Sequence, residues 1–595
     1  MENINEDGDE NMRDINLKTD LCIVGGGLSG LCAAIAAARN GIKVVIIQDR
    51  PVLGGNASSE IRMWVCGAHG LNNKETGIIE EIELENYYRN QTLSYSIWDS
   101  VLIEKAMLED NITLMLNCTC NDVMMQDNSI KQVKAWQMTT ESFVTVEAKQ
   151  FADCSGDGIL ASLTGAEYRR GRESRHEYDE SIAPDKADHK TMGMSCLFQA
   201  RELDRSVPFI KPEWAYTFET DEDLPFREHL LPETNYWWIE LGGDKDEIND
   251  TEKLREELQK IVFGVWDHIK NKGAHGADNW ALDFVGCLPG KRESRRYVGD
   301  HIITQNDIQN GGKFKDIVAY GGWSMDDHFP EGFNYNKGYP TIFHEAPTPY
   351  GIPYRALYSK NIDNLYCAGR NISATHSAMS STRVMATCSL MGQAVGTAAA
   401  IAIRNKLTPR GVYENKIEVL QQKLMQDDCY LPGLKQEYSN ITSQAAYKVE
   451  NEDVNILIDG YERPIGENDH GWYGDINQTI QIDFSNEESI KEIRIVFDSD
   501  LNRGMKGRQS PYHKNMPCYY PKDMDFAAPP KTLVKSFTIQ TLVDHGQYVE
   551  IIHKVNNYQR LVKIPINIKT KSLRFIPTET WGEEQVHIFS LTVKN

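Results

Sequence analysis

"LCIVGGGLSG" (residues 21–30) sets three consecutive glycines between an apolar run and an alanine-rich one. Leu21–Val24 reads as a buried strand, and Leu31–Arg39 (LCAAIAAAR) as a helix with small residues toward a sheet. Lys43–Ile47 follows at the distance of a βαβ return. Gly25, Gly27 and Gly30 fall at the turn with G-x-G-x-x-G spacing. In that unit the first glycine makes the turn, the second admits a pyrophosphate to the backbone, and the third lets helix pack on strand. The free N–H groups at the helix start then face the phosphates. The pattern predicts a dinucleotide site. The acidic residue expected after the second strand is Gln48, followed by Asp49, and either can reach ribose hydroxyls.

The 595-residue chain is too long for one core and predicts two or three domains. With 63 Lys+Arg against 86 Asp+Glu, its net charge of −23 argues against nucleic acid or an anionic membrane as a partner. No apolar run reads as a membrane span, and Ala394–Ile403 is expected to be a core helix. The acidic start, MENINEDGDENMRD, lacks a secretory pattern. Twelve cysteines without C-x-x-C offer neither a zinc knuckle nor a cluster-ligand run, so no metal is expected, and a reduced, cytoplasmic protein fits.

The predicted fold class is α/β. A Rossmann-like domain is expected from residues 18–165 and 346–405, with an α+β substrate domain inserted at 166–345. Residues 1–17 read as a disordered tail and 406–444 as a helical linker. From 445 to 595, eight alternating segments, "NILIDG" to "QVHIFSLTV", predict a jelly-roll β-sandwich that folds as a separate unit.

The stretches "VGGGLSG", "QDRPVLGGNASSEIRMWVCGAHG", "DCSGDG", "LPGKRESRRYVGD" and "LYCAGRNISATHSAMSSTRVMATCSLMGQAVGTAAA" together resemble FAD-dependent oxidoreductases with two dinucleotide-binding regions, relatives of heterodisulfide reductase flavoproteins. The resemblance implies FAD as cofactor. It implies contacts from the loop carrying Asp49, Arg50, Gly54, Gly55, Asn56, Ser58 and Arg62, and from the turn at Asp157. The late strand delivers Gly369 and Arg370, where relatives often carry Gly-Asp. A helix from about Thr382 is expected to aim its start, with Arg383, at the flavin edge where negative charge develops.

For proton transfer the residues singled out are His376, in the loop before that helix, then Glu60, Glu293 and His69. "KRESRRY" (291–297), if helical, puts Arg292 and Arg296 on one face to orient a substrate, with Glu293 paired to Arg296. The reading is hydride transfer between flavin and a polar small molecule (a sugar, polyol or hydroxy acid). The C-terminal segment resembles discoidin-like carbohydrate-binding domains, with Trp472 and Tyr473 placed to stack on a sugar. Two alternatives stay open: a carbohydrate-binding protein or polysaccharide lyase, and a flavoprotein electron carrier. Self-association and the electron acceptor are open as well.

Overall fold

The computed structural model describes residues 12–231, 235–503 and 516–595. Strand β1 (Arg13–Val24), helix α1 (Leu28–Arg39) and strand β2 (Val44–Ile47) form the βαβ unit. Helices α2 (Ile78–Arg89) and α3 (Tyr95–Met107) lead to β3 (Ile112–Met115). A hairpin, β4 (Cys118–Gln126) and β5 (Ser129–Gln137), precedes β6 (Ser142–Asp153). The parallel order is β3-β2-β1-β6, extended on β6 by the late strand Leu365–Cys367. β5 pairs antiparallel with the first half of β6. Covered on both faces, Leu21–Val24 and Val44–Ile47 are uniformly buried apolar runs, as parallel strands require.

β1 starts at Arg13, within the stretch expected to be a disordered tail. Arg13–Thr19 find a complete ladder partner in Ser142–Ala148, and those backbone bonds compensate for a polar composition. Residues 1–11 of that tail lie outside the described residues.

The helix Met385–Asn405 runs through the interior against α1. A Cβ at Gly392 would overlap the Ser29 carbonyl, and one at Gly396 the Ala33 carbonyl, so only glycine lets the two backbones approach this closely. The segment expected to be a linker is core: the helix Pro409–Gln426 buries Val412, Leu420 and Leu424 in the same cluster.

Between the Rossmann segments lies a second core around Tyr236, Trp238 and Trp266. It is backed by the helix Thr251–Asp267 and the antiparallel pair Phe198–Glu202 and Trp280–Val285. The C-terminal region is an antiparallel all-β sandwich. "TIQIDF" and "IKEIRIVFD" join in one strand, Ile480–Phe497, and "RLVKIPI" and "SLRFIPT" in another, Leu561–Thr580. The two pair along most of their length and shift register at Asp483/Glu488 and Ile490/Glu492. Phe497, Phe537 and Phe575 meet in the core. "NILIDG", expected as a strand, is a short 3₁₀ turn at Asn455–Ile458.

The sandwich is tied to the rest by strand pairing and buried cations. Tyr519–Tyr520 leave it to pair in parallel with Ala200–Arg201. Arg463 donates to the Asn72 carbonyl at 3.1 Å and to Thr76 Oγ1 at 3.0 Å. Arg503 donates to Glu80 Oε1 at 2.7 Å, where Lys74 pairs with Glu83. Alternation in the strands signals an inner face but not these cross-domain cations. Glu80 is buried, which opposes its charge, yet Arg503 and Lys74 hold its carboxyl down at about 2.

Removing one partner of a buried pair leaves the other charge uncompensated. Arg503→Ala should therefore cost about 3–5 kcal/mol in chemical denaturation. The Glu80→Gln, Arg503→Met double variant, which removes both charges, should recover much of that loss.

Candidate functional site

The turn after β1 is built by exclusion of side chains. Gly25 has φ +105°, and a Cβ there would overlap the Cys154 backbone; one at Gly30 would overlap the Gly25 carbonyl. Gly30 thus serves packing and does not reach the cavity wall. Gly27 is different: a Cβ there would meet only Gly55 Cα, at 3.9 Å, because the position opens onto a cavity of about 1130 Å³. Gly27 begins α1 with no side-chain cap, so the first N–H groups of that helix are left for a ligand.

Asp49, Arg50, Gly54, Gly55, Asn56 and Glu60 line the same cavity. Gln48 also reaches it, but its amide is committed: Oε1 accepts from Gly26 N at 2.7 Å and Nε2 donates to the Val52 carbonyl. Of the two residues expected at the ribose, Asp49 is the one whose side chain is not tied up in this way, with only Arg50 beside it at 3.7 Å. Glu60 pairs with Arg50 at 3.5 Å; burial raises its carboxyl, with Arg50 opposing. Two expected contacts are absent from the wall. Ser58 is fully buried at the end of a 3₁₀ turn. Arg62 turns to Gln199 and lies over the Phe284 ring at 4.0 Å.

The late strand closes the other side. Gly369, Arg370 and Asp157 line the cavity. Asp157 Oδ1 accepts from Arg370 at 2.6 Å and Oδ2 from Lys291 at 2.9 Å. Burial would raise its carboxyl, but Arg370 and Lys291 pull it down to about 2. The helix expected from Thr382 is two helices, His376–Thr382 and Met385–Asn405, broken at Arg383–Val384. Arg383 stays on the wall at that break, held by Asp326 Oδ2 at 3.1 Å. The Nε atoms of Arg370 and Arg383 are buried without a hydrogen-bond partner among the described residues. Unsatisfied cationic donors, an uncapped helix start and a side-chain-free cradle at Gly27 fit a dinucleotide anion.

"KRESRRY" is not helical. Only Gly290–Lys291 and Arg296–Tyr297 are short strands, and the irregular chain at 292–295 between them parts the side chains. Arg292 faces the cavity, donating to Ser195 Oγ at 2.9 Å and pairing with Glu240 at 3.4 Å. Arg296 and Glu293 pair with each other behind the wall, Arg296 also binding Glu173 at 2.8 Å. Neither is placed to touch a substrate.

His376, expected as the base, is 3% exposed and off the cavity wall. Nδ1 lies 2.8 Å from Glu293 and Nε2 3.1 Å from Asp327. Burial disfavours its charge, but the two carboxylates outweigh it and raise the imidazole to about 10. Both nitrogens are committed, so its role is structural. His69 packs edge-on against Trp323, 4.4 Å between ring centroids, and is also off the wall.

The strand Met325–His328 supplies what sequence reading missed. Its alternation sends Asp327 to His376 and turns Asp326 and His328 to the cavity. His328 Nδ1 is 2.6 Å from Glu240 and Nε2 is 3.3 Å from Asp326. Burial lowers this imidazole, but Glu240 and Asp326 together hold it above its ordinary value. Trp237 and Tyr339 complete this end. The available signal was "MDDH", three consecutive titratable residues in an aromatic-rich region.

Residues 20–424 match the model of the FAD dependent oxidoreductase family. The chain belongs to that family. As a member of that FAD-dependent family, it has FAD as its cofactor. Among curated proteins it is similar to the thiamine thiazole synthase of Thermotoga maritima, 32% identical over 172 residues, 26% of this chain and 64% of that protein. That of Pyrococcus horikoshii is 25% identical over 156 residues, 24% of this chain and 59% of that protein. The chain thus spans under two thirds of either relative. Among solved structures, the family 32 carbohydrate-binding module of Streptococcus pneumoniae EndoD is 10% identical with a TM-score of 0.20, covering 26% of this chain and 99% of that one. The family 32 module of C. perfringens NanJ, solved with galactose, is 11% identical with a TM-score of 0.17, covering 25% and 90%.

Gly27→Val should fold, since the protein leaves that space open, yet purify without the flavin spectrum of the wild type. His376 contributes stability that is complete below its unfolded value near 6.5 and is lost as pH rises through about 10. The wild-type melting temperature should therefore fall across that window, and His376→Gln should flatten the fall. An unchanged slope would show that His376 does not carry the linkage.

Proposed function

We propose that this flavoenzyme oxidises or reduces a small hydroxylated anion, a hydroxy acid or sugar acid, in the end of the cavity bounded by His328, Arg292 and Arg383. The observation that carries the reading is His328, backed by Glu240 at 2.6 Å and opening on the cavity that Gly27 also lines. Bound FAD supplies the hydride acceptor or donor. The chain does the rest. Arg292, Arg383 and His328 stand beside Glu240 and Asp326, with Glu228 also on the wall, and the two guanidiniums offer donors that suit an anionic group. Arg292 and Arg383 are fixed by those carboxylates, so they bind without first being ordered. His328 exchanges the proton of the substrate oxygen at Nε2, the nitrogen with the looser partner, while Glu240 holds Nδ1 and the ring orientation. Trp237 and Tyr339 pack together and give this end an aromatic side.

The narrower kinship with heterodisulfide reductase flavoproteins rests on the "LPGKRESRRYVGD" and "LYCAGRNIS" stretches. Carbohydrate binding by the sandwich rests on Tyr473, 54% exposed and stacked on His587 beside a polar cleft with Asp469 and Asn502. Trp472 takes no part, being buried.

Anaerobic flavin absorbance followed against a panel of hydroxy acids, sugar acids and neutral polyols tests the main reading. With the responding substrate, His328→Ala should keep FAD and slow the reaction about 10²–10⁴-fold. Arg292→Ala should chiefly raise the substrate concentration required. A wild-type rate in His328→Ala across the pH range would overturn the assignment.

A further inference from the structure

Away from the FAD cavity wall, Asp221, His229, His268 and His275 bring four donor atoms within 4.8 Å of one another. They come from separate segments: the turn Asp221–Asp223, the loop after Arg227, the π-helical turn His268–Lys272 that ends the long helix, and the loop beyond it. The three imidazole rings form a near-equilateral triangle, their centroids 4.9–5.0 Å apart.

We propose that this cluster is a tetrahedral zinc site. Asp221 Oδ1 lies 3.4 Å from His229 Nε2, 3.0 Å from His268 Nε2 and 3.4 Å from His275 Nε2. His268 and His275 Nε2 are 3.2 Å apart. Zinc bonds of about 2.0–2.1 Å in tetrahedral array place neighbouring ligand atoms roughly 3.3 Å apart, close to the spacing of these four pairs.

The protons point the same way. His229 Nδ1 is 2.7 Å from the Arg227 carbonyl and His268 Nδ1 is 3.1 Å from the Phe218 carbonyl. A carbonyl only accepts, so each Nδ1 carries hydrogen. In a neutral ring each Nε2 then presents a lone pair. Two such lone pairs, a carboxylate oxygen and the third imidazole nitrogen converge on one point, an arrangement that a bound cation satisfies at all four atoms. Protonating the rings instead would crowd imidazoliums around one carboxylate. Backbone carbonyls that fix the tautomer of a ligating histidine are the usual outer shell of a zinc site.

Three histidines and an aspartate fill four positions, the closed set of a structural rather than a catalytic zinc. Its place gives it a task. His229 sits one residue after Glu228, which lines the FAD cavity, and the helix bearing His268 begins at Thr251 on the same wall. The metal would tie that loop to the far end of that helix and so hold the substrate end of the cavity. The expectation of no metal followed from counting cysteines; the histidines are spread over 46 residues with no compact motif.

The test uses the full-length, tag-free protein. Elemental analysis should find one zinc per chain as purified. After EDTA dialysis, Co²⁺ should titrate to one equivalent with the intense visible bands of a tetrahedral complex. His229→Ala and His268→Ala should each abolish those bands. Wild-type protein that carries no metal and takes up no Co²⁺ would overturn the proposal. So would octahedral, weakly absorbing Co²⁺, or a tetrahedral spectrum that survives in His229→Ala. The wild-type titration decides even if the His268 variant fails to fold.

Discussion

The architecture depends on the contact of one helix with another across more than 350 residues of chain. Gly392 and Gly396 lie against the Ser29 and Ala33 carbonyls, at a separation no side chain would permit. The gain is dispersion and apolar burial along both helices, on a face made of alanine, glycine and serine. That contact returns the chain to its own beginning. It sets Leu365–Cys367 beside β6 and brings Gly369, Arg370 and Arg383 to the cavity that Gly27 opens. A dinucleotide cleft with only its N-terminal wall would be a groove; the return gives it a second wall.

Charge organises the opposite end. Asp326 is the hub, accepting from Arg383 and Thr341 and lying beside His328. The same strand sends Asp327 the other way to His376, so adjacent carboxylates serve two networks without sharing one. Glu240 links His328 to Arg292. Each buried charge has an opposite within reach, which is the condition for keeping ionised groups in a protein interior. The outer network of His376, Glu293, Arg296 and Glu173 braces the wall from behind.

Local chemistry was legible in the sequence where one residue type answers one constraint. The glycines at 25, 27 and 30 fix a βα turn, two of them closed in by backbone and Gly27 facing open space. Alternation marked most sandwich strands, though it could not show that two pairs of segments join through register shifts. Long-range partners were not legible. "KRESRRY" fits a helix or a strand by composition, and only pairing with Tyr168–Arg169 and Met194–Ser195 decides it. His376 lies close in sequence to the cofactor-facing segments, but its ring enters a buried ion network. His328 gave no motif because its partners lie 88 and 2 residues away. Arg463 and Arg503 belong to no motif, yet they plug the sandwich into α2 and its approach.

The central claim is that one cavity holds both the cofactor and the reacting group, with Gly27 at one end and His328 at the other. A crystal structure of the FAD-loaded protein measures this most directly. The account predicts phosphate density against Gly27 and Gly55, with the flavin ring in the same cavity, toward Arg383 and His328. A flavin ring outside that cavity, with His328 shielded from it by protein, would contradict the account.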